Sequence, residues 1–146
     1  MGITPWLART PEDVLLEQYW TKHGGRLYLE VPIGGCGSPG GWLPGCTVRR
    51  LDGVRVLSSS TPESISRYAA AKAAFATDLQ AVPAELLEVK LALNRTAIGQ
   101  AIAGRHMFRR QYGVTPSSTK ILCRVSDSAL EWVCGEEEVQ VEVVAS

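Results

Sequence analysis

Hydrophobic positions recur along this chain with two periods, and the switches between them mark its elements. Leu27, Leu29 and Val31 alternate with Tyr28 and Glu30, which predicts a strand over 26–31. A second strand is expected over 47–57, a third over 85–93, a fourth over 120–125, and a last, from the alternation of Val139, Val141 and Val143, over 139–144. The helical spacing first appears in Val14, Leu15, Leu16, Tyr19 and Trp20. Thr10 can cap that helix, Pro11 suits its first turn, Glu12 and Asp13 face the positive end of its dipole, and Gly24-Gly25 ends it. An alanine-rich stretch with Tyr68, Phe75 and Leu79 predicts a helix over 65–79, started by the turn at 58–63. Asn94 caps a long helix from Arg95 to about Tyr112, closed by Gly113, and a short helix is expected over 128–134.

The resulting order is helix, strand, strand, helix, strand, helix, strand, short helix, strand. The early pair, joined through the Gly- and Pro-rich stretch 34–45, reads as a long antiparallel hairpin. The strands on either side of the long helix require a parallel pair with a right-handed crossover. The expected fold class is therefore α/β, a three-layer α/β/α arrangement with a central mixed sheet. No repeat or linker interrupts 1–146, so a single domain is expected.

Composition bounds this picture more than it sharpens it. A chain of 146 residues that is 45% hydrophobic and 21% charged suits one soluble globular domain. No apolar run is long enough to span a membrane, and the first residues lack the basic start and apolar core of a signal peptide, so no membrane association and a cytoplasmic location are expected. The cysteines at 36, 46, 123 and 134 form no C-x-x-C pair. Free thiols are the plain reading, and a bond between Cys36 and Cys46 is the alternative. The formal net charge is zero, yet 91–126 contains no acid while carrying Arg95, Arg105, Arg109, Arg110, Lys120 and Arg124; the segment after it is acidic. Such segregation can produce one basic and one acidic face, or simply a solvated helix and an acidic tail.

The chemistry concentrates in the strand over 85–93. Glu88 and Lys90 project to one face, while Leu87, Val89 and Leu91 project to the other. Charges inside so apolar a strand are costly unless they are used. A carboxylate that holds a divalent metal, with a lysine beside the activated water or phosphate, accounts for both. Asp52, in the second strand, supplies another acid. The simpler alternative is an ion pair at the strand ends.

An Asp-bearing strand followed by an acid-x-lysine strand and a Gln-bearing helix resembles the restriction-endonuclease-like nucleases, the PD-(D/E)XK superfamily. The likeness extends from about Thr10 to Val144 as an order of elements. It implies a restriction-endonuclease-like fold in which Asp52, Glu88 and the Val89 carbonyl hold Mg²⁺ or Mn²⁺. Lys90 would then orient the attacking water or stabilise the phosphorane, and Gln100 would help place the lysine or the nucleophile. A helix acid, Glu17 in preference to Glu12, would complete the metal shell, with Glu30 a further candidate. The chain departs from members with a Q-x-x-x-Y helix, because Gly104 stands where the tyrosine would be.

Arg105 and Arg109 share a helix face and, with Arg95 and Arg110, are expected to contact DNA phosphates without reading sequence. His106 beside them reads as a surface or packing residue more readily than as a base. Trp20, Trp42 and Trp132 are explained by core packing, with Trp42, in the Gly-rich loop, the one placed to stack on a base. The function expected is a metal-dependent deoxyribonuclease working as a homodimer or in a larger complex. The alternatives are a non-catalytic nucleic-acid-binding or scaffold protein on the same fold, and a nuclease of RNA.

Overall fold

The computed structural model describes residues 10–35, 40–57 and 63–144. Its elements, in order, are α1 (Pro11–His23), β1 (Arg26–Ile33), β2 (Arg49–Val56), β3 (Ser64–Arg67), a short 3-10 turn (Tyr68–Ala70), α2 (Lys72–Ala81), β4 (Ala84–Val89), α3 (Arg95–Tyr112), β5 (Ser118–Cys123), α4 (Ser128–Glu136) and β6 (Gln140–Val143). Thr10 accepts from the Asp13 amide while Asp13 bonds back to the Thr10 amide, a reciprocal capping box that fixes the start of α1. Asn94 caps α3 through the Ala97 amide, and Gly113, at φ +70°, ends it. Both boundaries lie where the sequence places them.

The six strands form one mixed sheet in the order β3-β1-β2-β4-β5-β6. β1 and β2 are antiparallel, β2 and β4 antiparallel, β4 and β5 parallel, β5 and β6 parallel. α1 buries Leu15, Leu16, Tyr19 and Trp20 on one face against Leu27, Leu29, Leu87, Val89 and Leu122. The other face carries Val31, Val54, Val56 and Leu86 under Phe75 of α2 and Phe108 of α3, and Ile121 and Cys123 beneath α3 and α4. These are three layers, α/β/α, as expected. No helix among the described residues is long and apolar enough to cross a membrane.

Three expectations need correction. The stretch 65–79 is helical only from Lys72; its first part is β3, which pairs in parallel with β1 at the sheet edge. Ile65 there is 1% exposed and belongs to the cluster beneath α1, so tertiary burial overrides the helical preference of the alanines that follow. The Glu88 strand ends at Val89, leaving Lys90 just beyond the last ladder position. Trp132 is not a core residue: it stands 68% exposed on α4, whereas Trp20 is buried. Cys46, Cys123 and Cys134 are free thiols; Cys36 and the turn at 58–62 lie outside the described residues.

β1 and β2 switch faces at the same level. Leu27 and Leu29 lie beneath α1, but Val31 and Ile33 lie beneath the opposite helices, with Glu30 between them at φ +56°. In β2, Leu51 shares its face with Val54 and Val56, an odd spacing that breaks the alternation around Asp52. Gly53 lies at that break. A Cβ added to it would sit 2.9 Å from Leu27 and 3.4 Å from Leu16, so Gly53→Ala should cost about 1–3 kcal/mol, measurable by urea unfolding.

Candidate metal and phosphate site

The break in β2 places Asp52 within the sheet rather than on either face. The β2–β4 ladder runs from Val56–Ala84 to Gly53–Leu87 and stops, although β4 continues to Val89. The Val89 amide, which lacks a β2 carbonyl there, donates instead to the Asp52 carboxylate at 2.8 Å. The strand ends are held apart by a side chain, and that side chain is an acid.

Glu88, only 8% exposed, hydrogen-bonds to the Asp52 carboxyl at this parting. Burial, then the Asp52 charge, push the Glu88 carboxyl up from its ordinary 4.5 to about 9, although the Lys90 charge opposes the shift. Asp52 is also raised, first by burial, against the lowering effects of the Val89 amide, the Glu88 hydrogen bond and Lys90. Both carboxyls being raised, the pair holds a proton between them near neutral pH. Among the described residues Lys90 forms no ion pair within 4 Å, so its ammonium is left for something else beside the pair.

Glu88 opens into a cavity of about 510 Å³ between β2 and α3. Gln100 and Thr96 line it from the helix; Arg49 and Arg50 line it from the strand. Ile33, Leu51 and Met107 form its apolar wall. The structure thus brings Asp52, Glu88, Val89 and Lys90 together, and Gln100 meets this group only through the cavity it shares with Glu88. At Gly104, where the tyrosine of that motif would stand, a Cβ would come 2.8 Å from Leu51 Cδ2, so a larger residue there requires the Leu51 side chain to move.

Other predicted residues lie elsewhere. Glu17 is exposed on α1 and contributes nothing to the environment of the pair; Glu12 and Asp13 are the α1 acids whose charges act on Glu88 and Asp52 respectively. Glu30 is exposed and pairs with Arg67. Arg110 donates to the Gly40 and Gly41 carbonyls and stacks on Trp42 at 4.1 Å, while the Trp42 indole donates to Gln111 at 3.0 Å. Arg110 and Trp42 therefore fasten the Gly-rich loop to α3. Arg105 and Arg109, with His106, line a different cavity on the other flank of α3. Arg95 is exposed at the first position of α3. Lys120 is taken up by Glu85, Glu142 and Tyr19 beneath α1.

Sequence reasoning missed Arg49 and Arg50. Their signal was proximity: they precede Asp52 on the same strand, and the switch of faces turns that segment toward α3.

Among the described residues, no three His, Cys, Asp or Glu side chains converge as a ligand group. Two carboxylates and a backbone carbonyl still suit a hard divalent ion that keeps several waters, and the shared proton marks where a cation would be accommodated. No family model matches the chain, and neither a curated protein nor a solved structure matches it.

Proposed function

We propose that this chain is a divalent-metal-dependent nuclease of the restriction-endonuclease-like kind, hydrolysing DNA phosphodiester bonds. The observation that carries the reading is the buried Asp52–Glu88 pair at the parting of β2 and β4, with the Lys90 charge beside it and a cavity in front. The order of elements supports it: a helix, an antiparallel pair, then, after the edge strand β3 and α2, the acid-bearing strand β4, a long helix and a parallel strand.

Asp52 and Glu88, with the Val89 carbonyl, would hold Mg²⁺ or Mn²⁺. Such an ion, when bound, supplies an acidified water and neutralises charge on the phosphate. Lys90 would orient the attacking water or stabilise the charge that develops on the phosphate oxygens. Gln100 positions the lysine or nucleophile from α3, and Arg49 and Arg50 hold the phosphate of the strand entering the cavity. A homodimer or a larger complex would bring two such sites to the two strands of a duplex.

The rival reading is a non-catalytic nucleic-acid-binding protein on the same fold. It is favoured by the fact that, among the described residues, just two acids meet at the site. Labelled single-stranded, duplex and branched DNA, with RNA alongside, separate the two when incubated with wild type and Glu88→Ala in Mg²⁺, Mn²⁺ or EDTA. Metal-dependent cutting of DNA that the folded variant lacks is the expected result. Cutting of RNA alone moves the substrate class. Binding without cutting, unaffected by EDTA, sinks the nuclease. Within the same assay, Arg49→Ala together with Arg50→Ala should weaken substrate binding about tenfold or more and lessen its salt dependence.

A further inference from the structure

On the flank of α3 away from the acid pair, a second cavity of about 700 Å³ lies between α3, the start of β5 and the turn from α4 into β6. Arg105 and Arg109, one helical turn apart, line it with His106 between them. Its floor includes Thr119, which is 3% exposed and whose hydroxyl is buried with no hydrogen-bond partner. A buried hydroxyl without a partner costs stability, and native proteins seldom leave one so unless a ligand or water answers it.

Several of the neighbouring polar groups are already engaged, which narrows what Thr119 awaits. Ser117 donates to the Ala84 carbonyl and Ser118 to the Glu85 carboxylate. Arg105 Nη1 donates to the carbonyls of Glu137 and Glu138 at 2.9 and 3.4 Å, which holds the guanidinium in place at the end of α4 and leaves its remaining N–H groups for other partners. Arg109 Nη2 lies 3.2 Å from His106 Nδ1. The cavity therefore offers two guanidinium groups, one of them fixed, above a floor in which the Thr119 hydroxyl is buried and unpartnered. That set matches a tetrahedral oxyanion with several acceptor oxygens. Glu138, which also lines the cavity, opposes an anion and limits its affinity.

We propose that this cavity is a phosphate-binding site, with Arg105 and Arg109 as the cations and the Thr119 hydroxyl as the buried donor. It is separate from the acid pair, needs no metal, and stands or falls independently of the nuclease reading. The phosphate has two possible sources, a monoester on a small molecule or strand end and a diester in a nucleic-acid backbone.

The test is a titration in EDTA, followed by calorimetry and by amide NMR shifts, using inorganic phosphate, adenosine 5′-monophosphate and a short oligonucleotide without terminal phosphates. Wild type should bind at least one of them, with shifts centred on Thr119 and Arg109. Phosphate and the nucleotide alone would assign a monoester; the oligonucleotide would assign a backbone diester. Thr119→Val should melt at a higher temperature than wild type yet bind about tenfold more weakly, a combination that a purely structural threonine would not give. Arg109→Gln should weaken binding by a similar factor, and Glu138→Gln should strengthen it severalfold. The proposal is overturned if wild type binds none of the three at about 10 mM, or if Thr119→Val and Arg109→Gln both bind as wild type does.

Discussion

Glu88→Gln is expected to abolish metal-dependent cleavage, by about 10³-fold or more, while making the metal-free protein more stable above neutral pH. The two effects have one cause. In the folded chain the Glu88 carboxyl titrates at about 9, against 4.5 for an ordinary glutamate. Between those values the folded state keeps a proton that the unfolded state has released. The contribution of Glu88 to stability is thus fully present below about 4.5, falls as pH rises through the interval, and is lost above about 9. Asp52, raised in the same direction, adds to the slope. Glutamine keeps the hydrogen bond to Asp52 and never ionises, so the variant should lose most of this slope. Near pH 8 it should gain on the order of 2 kcal/mol over wild type in EDTA, and near pH 5 little. Urea unfolding at the two pH values measures it. A wild type whose stability is flat across that range would remove the premise of a buried, proton-sharing pair.

Lys90→Ala should separate binding from chemistry. The ammonium is not a metal ligand, and its positive charge works against a cation at the pair. Its loss should leave Mn²⁺ affinity unchanged or somewhat tighter, yet reduce cleavage by about 10²–10⁴-fold. Loss of both together would mean that Lys90 holds the site's structure rather than acting on the substrate. Full retention of cleavage would remove it from the mechanism.

The acid pair was legible in the sequence because its signals are local. Glu88 and Lys90, two residues apart, interrupt one apolar run, and Asp52 interrupts another. The ends of α3 were legible for the same reason: Asn94 and Gly113 satisfy their own helix termini. What escaped depends on contacts distant in sequence. Ile65 is drawn into a strand by the cluster beneath α1, which the neighbouring alanines do not reveal. Arg49 and Arg50 face the cavity because β1 and β2 change faces at Glu30 and Asp52, and no period shows that change in advance. Glu17 lies deeper in α1 than Glu12, but the capped first turn, not the deeper one, is the part whose charges act on the acid pair. Arg110 is occupied by the carbonyls of Gly40 and Gly41, 70 and 69 residues away in sequence, which its place on a basic helix does not reveal.

If Asp52 and Glu88 hold a divalent cation where they otherwise share a proton, the ion must displace that proton on binding. Calorimetric titration of Mn²⁺ near neutral pH, repeated in two buffers of different ionisation enthalpy, tests it most directly. One binding event per chain is expected, with release of about one proton per ion, tighter binding as pH rises, and loss of the event in Glu88→Gln. Absence of binding at millimolar Mn²⁺, or binding that releases no proton and survives Glu88→Gln, would contradict it.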